Sequence, residues 1–351
     1  MIDVRQAWPR PAAPRPIVFV GAGAIVRTAH LPAYTRRRFP IAGLFDLCRA
    51  AVDQTSRQFG GLRVFATLAE AAATPGAIFD VAVPGKEIAG VLAQLPRGSA
   101  VLIQKPMGET LAAARRILDV CRDRDLVAAI NFQLRFSPNM MALADLIAAD
   151  RFGDLTDIEV RIVDRQPWEQ WSFLKHAPRL EVLYHSIHYL DAIRWIAGEP
   201  DGVMCRAVAH PQFKDFADTR STIVLDYGDR VRCSLVLNHT HVLDERHRES
   251  MLKIEGTAGA ALLTLGVNLA YPSGPPDRLE VAIDGTSLQP VPLSGSWFTE
   301  AFEGPMSNLQ RFVAGEDTRL VSPVSDAIKT MALVEACYTS SAGGSTPIPA
   351  P

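Results

Sequence analysis

No segment of this 351-residue chain approaches the ~20 consecutive apolar residues that would span a bilayer, although 48% of its residues are hydrophobic. That absence predicts a soluble protein. A charge excess is missing too: 36 basic side chains oppose 38 acidic ones, a formal net charge of -2. With no basic run interleaved with aromatics, neither nucleic acid nor a membrane is an expected partner. Cysteine is scarce, with five residues (Cys48, Cys121, Cys205, Cys233, Cys337) that are scattered, odd in number and never paired as CxxC. Neither a disulfide framework nor a zinc site is expected, and a reducing cytoplasm is the compartment that fits. Residues 1–16 hold four prolines and three arginines without an apolar core, so they do not read as a secretory signal. They read as a flexible tail, with an arm packing on a neighbouring subunit as the alternative. No internal repeat or low-complexity block is evident.

What the chain does contain is enough apolar material for two cores, since 351 residues exceed the ~100 to 200 of a usual domain. From Ile17 to Phe132, β-rich runs at Ile17-Val20, Ile41-Phe45, Phe79-Val83, Ala100-Ile103 and Leu126-Phe132 alternate with helical patterns. One helix is legible in the stripe Ile88, Val91, Leu92 and Leu95, another from Ala112 to Arg122. Alternation of this kind predicts a doubly wound parallel sheet, a Rossmann domain over 17–137. After Pro138 the pattern changes. A helix through Met141, Leu143, Leu146 and Ile147 precedes the alternating run Ile158, Val160, Ile162. Thr222-Tyr227 and Arg230-His241 flank a hairpin signal at Gly228-Asp229, and Met251-Glu255, Ala261-Leu265 and Leu279-Ile283 continue the meander. A second, α+β domain over 138–351 with an open, mostly antiparallel sheet is expected, closed by a helix over Asp326 to Ser340.

Directly after the first strand stands Gly21-Ala22-Gly23-Ala24-Ile25-Val26. Gly21 permits a tight turn, and Gly23 lets a pyrophosphate approach the backbone at a helix N-terminus. Val26 fills the third small position and implies wider helix-to-strand packing. Asp46, closing the second strand 25 residues after Gly21, can accept from ribose hydroxyls and would repel a 2'-phosphate, so NAD is expected over NADP.

Several motifs in one order carry a resemblance. They are Gly21 to Ala33 (GAGAIVRTAHLPA), Lys105-Pro106, Asn131 to Pro138 (NFQLRFSP), His188 with Asp191 in a helix, Trp297 to Met306 (WFTEAFEGPM), and the helix around Asp326. Together the chain resembles the Gfo/Idh/MocA oxidoreductases over nearly its whole length from Ile17. The resemblance implies hydride transfer between NAD and a hydroxyl carbon of a sugar, sugar acid or cyclitol. It also implies an open second sheet that faces the nicotinamide and assembles a homodimer or homotetramer. It maps the family's Glu-Lys-Pro onto Gln104-Lys105-Pro106, making Lys105 the catalytic lysine, and it makes His188 the catalytic histidine. Ala24, Ile25, Pro84 and Asn131 join Gly21, Gly23, Asp46 and Lys105 on the cofactor; Arg135, His185 and Asp191 join Lys105 and His188 on the substrate.

The residue chemistry agrees with those roles. Pro106 biases Lys105 to an extended conformation at the carboxyl end of a parallel strand, where an ammonium can stabilise developing alkoxide charge. Imidazole titrates near neutrality, so His188 can take and return the hydroxyl proton. Tyr184, His185, His188 and Asp191 fall three or four apart on a helix from about Tyr184 to Ala197. Two positions depart from the family: Tyr184 stands where many members carry Asp, and Gln104 replaces Glu. As a catalytic residue Tyr184 can hydrogen bond a substrate hydroxyl or relay a proton but cannot offer a carboxylate, and losing the glutamate charge at position 104 eases deprotonation of Lys105. The dense aromatics Trp168, Trp171 and Phe173 suit a sugar platform or, alternatively, a loop packed on its own domain. His239 and His241 share a strand face with Cys233, Leu235 and Leu237, facing either the cleft or a subunit interface. His185 and His188 lack a third ligand, so no metal is expected. An NAD-using glycosidase without net redox change, and a non-catalytic sugar or nucleotide sensor, remain the competing functions.

Overall fold

In a computed structural model, which describes residues 4–347, the first sheet is wholly parallel. Its strands are β1 (Ile17–Val20), β2 (Ile41–Phe45), β3 (Ile78–Val81), β4 (Ala100–Ile103) and β5 (Val127–Ile130), in the order β2-β1-β3-β4-β5. Helices α1 (Leu31–Arg36), α2 (Arg49–Gln58), α3 (Leu68–Ala72), α4 (Ile88–Leu92) and α5 (Leu111–Asp123) connect them, and α6 (Pro138–Ala148) follows. Every residue of β1, β3 and β4 is buried, which is why these strands read as continuous rather than alternating apolar runs. Local chemistry fixes the helix starts: the hydroxyls of Thr67 and Thr110 accept from the amides of Glu70 and Ala113 at 3.0 and 3.1 Å. The last strand is shorter than the sequence suggests. Asn131 and Phe132 leave the sheet, and Gln133–Phe136 forms a 3-10 turn.

The second sheet has eight strands: β6 (Leu155–Val163), β7 (Gly202–Val208), β8 (Arg220–Asp226), β9 (Arg232–Asn238), β10 (Glu249–Gly256), β11 (Gly259–Thr264), β12 (Arg278–Ile283) and β13 (Gln289–Pro290). They lie in the order β13-β12-β11-β10-β6-β9-β8-β7, antiparallel throughout except where β6 meets β9. Helices α7 (Ile187–Ala197) and α8 (Gly266–Leu269) belong to this half. The expected combination of a parallel sheet and a mostly antiparallel one is thus what the chain forms. The edge strand β7, in which charged, small and apolar residues mix, is absent from the sequence reading. Its outward amides are covered, since Cys205 N–H donates to Ser340 Oγ at 2.9 Å and Ala207 N–H to Ser341 Oγ at 3.0 Å.

Helices α9 (Glu303–Val313) and α10 (Val324–Gly343) complete the chain, which divides into two compact units. One runs from the first described residues through Ala142 and also takes in Leu293–Met331; the other comprises Leu143–Pro292 and the chain from Ala332 onward. The contiguous division at 137/138 is corrected accordingly. The reason is the open β5 edge: Ser322 O accepts from Ile130 N–H at 2.8 Å, Ser322 Oγ donates to Ile130 O at 2.7 Å, and Pro323 bridges Ala129. Phe302, Met306 and Leu309 join Phe19, Leu102 and Ala129 in one core. Among the described residues no helix is long and apolar enough to cross a membrane.

The amino-terminal segment does not hang free as a tail. Trp8 stacks edge-on against Phe136 with ring centroids 5.3 Å apart and donates its indole N–H to Asp317 at 2.7 Å. Arg10 donates to the carbonyls of Arg37 and Arg38, Ala12 N–H to Glu316, and Arg15 N–H to Gln310. Four anchors over eight residues hold this stretch along the first unit. Trp8→Ala removes one apolar contact and one charge-assisted hydrogen bond, and is expected to cost about 2 kcal/mol of stability, read as a lowered midpoint in chemical denaturation.

Candidate functional site

In the first unit the glycine loop is shaped by contact as well as by conformation. Gly21 has φ +111°, and a Cβ there would lie 2.3 Å from the Ala82 carbonyl oxygen, so no larger residue fits. Gly23 is different: a Cβ built on it meets nothing within 4 Å, which leaves open space before the loop. Asp46 ties the loop to the end of β2, one carboxylate oxygen accepting from Ala22 N–H at 2.7 Å and the other from Cys48 N–H at 2.8 Å. Ala24 and Ile25 begin the helical chain, and Val26, fully buried, opens a wide turn in which Leu31 N–H donates to Val26 O. Open space at a helix N-terminus, a backbone that can be approached and an adjacent carboxylate suit a dinucleotide. Leu47, 91% exposed beside Asp46, is an apolar surface that the sequence reading passed over.

The carboxyl ends of β4 and β5 carry the expected catalytic amine. Gln104 N–H donates to Val81 O at 2.9 Å, and Lys105 follows, joined to Pro106 by a cis peptide. Burial lowers the Lys105 ammonium to about 8. Pro84 lies exposed past the end of β3, its carbonyl accepting from Glu87 N–H. Two neighbours are reassigned by their surroundings. Asn131 has no exposed surface; its Nδ2 lies 3.3 Å from His30 Nε2, while His30 Nδ1 faces Asp80 at 2.9 Å and Tyr34 donates to the same carboxylate at 2.6 Å. Asn131 thus ties the end of β5 to His30 through Nδ2, while its Oδ1 has no hydrogen-bond partner among the described residues. Arg135, 3% exposed, donates to Val321 O and pairs with Asp326, both at 2.8 Å, so its guanidinium ties the returning chain to the 3-10 turn instead of waiting for substrate. The signal for the His30 network was Asp80, an acid inside an apolar strand, which must find partners when buried.

In the second unit, Tyr184 and His185 sit half-buried in a wide turn, Val182–Ser186, that leads into α7; Ile187 N–H donates to Val182 O. His188 and Asp191 follow in α7, 7% and 1% exposed. Asp191 lies 3.9 Å from the buried Arg194, whose guanidinium pairs with Glu199 at 2.6 Å. Trp168 is fully buried in a small apolar cluster with Leu174, Leu180, Phe213 and Phe216, so it cannot serve as an open sugar platform. Trp171 packs edge-on against Tyr271 at 5.4 Å. Phe173, 57% exposed and 6.0 Å from the Tyr184 ring, is the aromatic that reaches solvent.

His239 turns inward and has no exposed surface. Its Nδ1 lies 2.7 Å from Asp164 and its Nε2 3.3 Å from Glu181, both carboxylates wholly buried. The second approach meets the ion-pair distance without hydrogen-bond alignment. Burial would lower this histidine, yet the charge and hydrogen bond of Asp164, with the nearby charge of Glu181, prevail and raise it to about 10. His241 is also buried, its backbone N–H donating to Asp164 O at 2.9 Å. Among the described residues no group of three or more His, Cys, Asp or Glu is arranged to hold a metal ion.

Comparison with known proteins gives two family matches: residues 15–132 fit the description "Oxidoreductase family, NAD-binding Rossmann fold", and residues 140–262 fit "GFO/IDH/MocA C-terminal domain". The chain is 25% identical over 197 residues to protein y4oX of Sinorhizobium fredii, a match spanning 54% of each chain. It is also 25% identical over 260 residues to D-apiose dehydrogenase of Rhizobium rhizogenes, covering 70% of this chain and 71% of that one. Among solved structures, an oxidoreductase from Agrobacterium radiobacter in complex with NAD+, L-tartaric acid and magnesium superposes with a TM-score of 0.77. That alignment covers 95% of this chain and 98% of the other at 21% identity, and it speaks to the fold.

The raised His239 value sets a pH signature. The native state holds this proton up to about 10 against the ordinary 6.5. Its stabilising contribution is whole below about 6.5 and is lost as pH climbs through 10. The gap in unfolding free energy between the unmodified protein and His239→Gln is expected to shrink steadily between those limits, measured by denaturant melts at matched pH; a constant gap contradicts the assignment.

Proposed function

Since the chain belongs to the Gfo/Idh/MocA family of oxidoreductases with an NAD-binding Rossmann domain, we propose that it is an NAD-dependent dehydrogenase or reductase. Its substrate in this reading is a hydroxyl carbon of a sugar, sugar acid or cyclitol. The observation that carries this reading is Lys105: an amine with its value lowered to about 8, at the carboxyl end of β4, in the same unit as a glycine loop with open space before it. The similarity to D-apiose dehydrogenase supports the substrate class. NAD, when bound, supplies the hydride acceptor. The Lys105 ammonium donates a hydrogen bond to the reacting oxygen and stabilises its negative charge as the C–H bond breaks. His188 takes the hydroxyl proton and returns it in the reverse direction, and Tyr184 offers a hydroxyl to the substrate. Asp46 accepts from the adenosine ribose and disfavours a 2'-phosphate. The partners of this reading are the small polyol and further copies of the chain, joined as a dimer or tetramer through the eight-stranded sheet.

NADH formation followed by absorbance across a polyol panel that includes D-apiose tests the reading. Turnover is expected in the unmodified protein and a loss of about 10²-fold or more in Lys105→Met and His188→Ala. Unchanged rates in both variants refute the roles assigned. Because the ammonium is the active form, kcat/KM falls above about pH 8, and this alkaline limb disappears in Lys105→Met. Calorimetry should find NAD bound more tightly than NADP, with the preference narrowed in Asp46→Ser.

A further inference from the structure

The wide turn Val182–Ser186 holds one residue more than an α-helical turn, so regular helical hydrogen bonding does not by itself fix its phase. If it relaxed to an α-helix, residues before it would rotate by about 100° relative to His188. The structure anchors the turn at both ends. At its start, Asp218 accepts from Leu180 N–H at 2.9 Å and Glu181 N–H at 3.1 Å, and Tyr338 donates to the same carboxylate at 3.2 Å. At its end, Ser186 Oγ donates to Glu181 Oε1 at 2.6 Å, five residues back and across the turn.

Glu181 is itself held by a charge. Both ring nitrogens of His239 face carboxylate oxygens, Asp164 on one side and Glu181 on the other, and carboxylates only accept. Two carboxylates flanking one buried ring favour its imidazolium form, with Nδ1–H donating to Asp164 and Nε2 at ion-pair distance from Glu181. Asp164 is steadied in turn by Gln166 Nε2 and by its own chain position at the end of β6. The His239 ring lies 4.5 Å from that of His185, which meets Trp168 edge-on at 4.7 Å. The other titratable groups of this region are Asp218, raised to about 6 by burial and by Glu181, and the phenols of Tyr189 and Tyr338, raised by burial and by the same carboxylates. Buried ions add little net stability compared with apolar residues of the same volume, whereas removing one partner is costly. The use of this set lies in the geometry it enforces.

We propose that Asp164, His239 and Glu181 are positioning residues, a buried carboxylate-imidazolium-carboxylate chain that keeps the 182–186 turn wide and so sets the angle between Tyr184 and His188. Only the kinetic arm of the test rests on the dehydrogenase reading.

The full-length protein labelled with 15N-histidine is examined by long-range nitrogen-proton correlation at about pH 8.5, roughly two units above the ordinary histidine value. One imidazole is expected with both nitrogens protonated, and its signal vanishes in His239→Gln. In the isosteric Glu181→Gln and Asp164→Asn the His185 and His188 signals should shift. In the kinetic arm, the same two variants lose about 10²-fold in kcat for polyol oxidation while NAD affinity by calorimetry is unchanged. A purely structural role would lower the melting point and leave kcat per folded molecule intact. The proposal is overturned by a singly protonated His239 at that pH, or by unmoved His185 and His188 signals. It is overturned equally by a stoichiometric divalent metal in the purified protein, which would make Glu181 and His239 ligands. An absence of turnover on any polyol, with the imidazolium present and the signals displaced in the variants, counts against the dehydrogenase reading and supports the positioning chain.

Discussion

The approach of the Gly21 backbone to the Ala82 carbonyl is the constraint on which the nucleotide-binding half depends. A single added carbon would collide with that oxygen, so the first loop can lie against the end of β3 only while this residue has no side chain. The consequence spreads outward from there. With the loop seated, Ala22 N–H reaches Asp46, and Gly23 stands before open space at the start of the helical chain. A cofactor-binding surface follows from a steric fact about two peptide units.

Two buried polar sets serve the two halves in comparable ways. His30 with Asp80, Tyr34 and Asn131 lies under the strand ends of the first unit, and His239 with Asp164 and Glu181 lies behind the helix of the second. In each, a carboxylate faces a histidine nitrogen and thereby fixes where that ring carries its proton. Each also neighbours a wide helical turn, Val26–His30 in one unit and Val182–Ser186 in the other. Turns of this kind are frequent at functional sites.

Much of this was legible in the sequence because the determinants are local or periodic. Parallel strands buried on both faces announce themselves as short unbroken apolar runs, and β1, β2 and β4 end where those runs end. The glycine loop, Asp46 and Lys105 were equally visible, since their chemistry depends on position relative to a strand. What could not be read was partnership across the chain. Arg135 looked like a substrate ligand because nothing near it in sequence announces Asp326 or Val321, nearly two hundred residues away. Trp168 looked like a platform because an indole's burial is decided by neighbours such as Phe213 and Phe216. The amino-terminal segment reads as featureless because its anchors, Asp317, Glu316 and Gln310, lie about three hundred residues away along the chain.

The discontinuous make-up of that unit bears on how the protein is born. A ribosome delivers Ile17 to Ile130 before the second unit, but the residues that seal the β5 edge and complete its core, from Phe302 to Pro323, follow only after Leu143–Pro292 has been made. Until then the nascent Rossmann sheet presents unpaired backbone at one flank and an unfilled apolar cleft, both openings for premature association. The first unit is thus a domain whose core closes only after its neighbour has been translated.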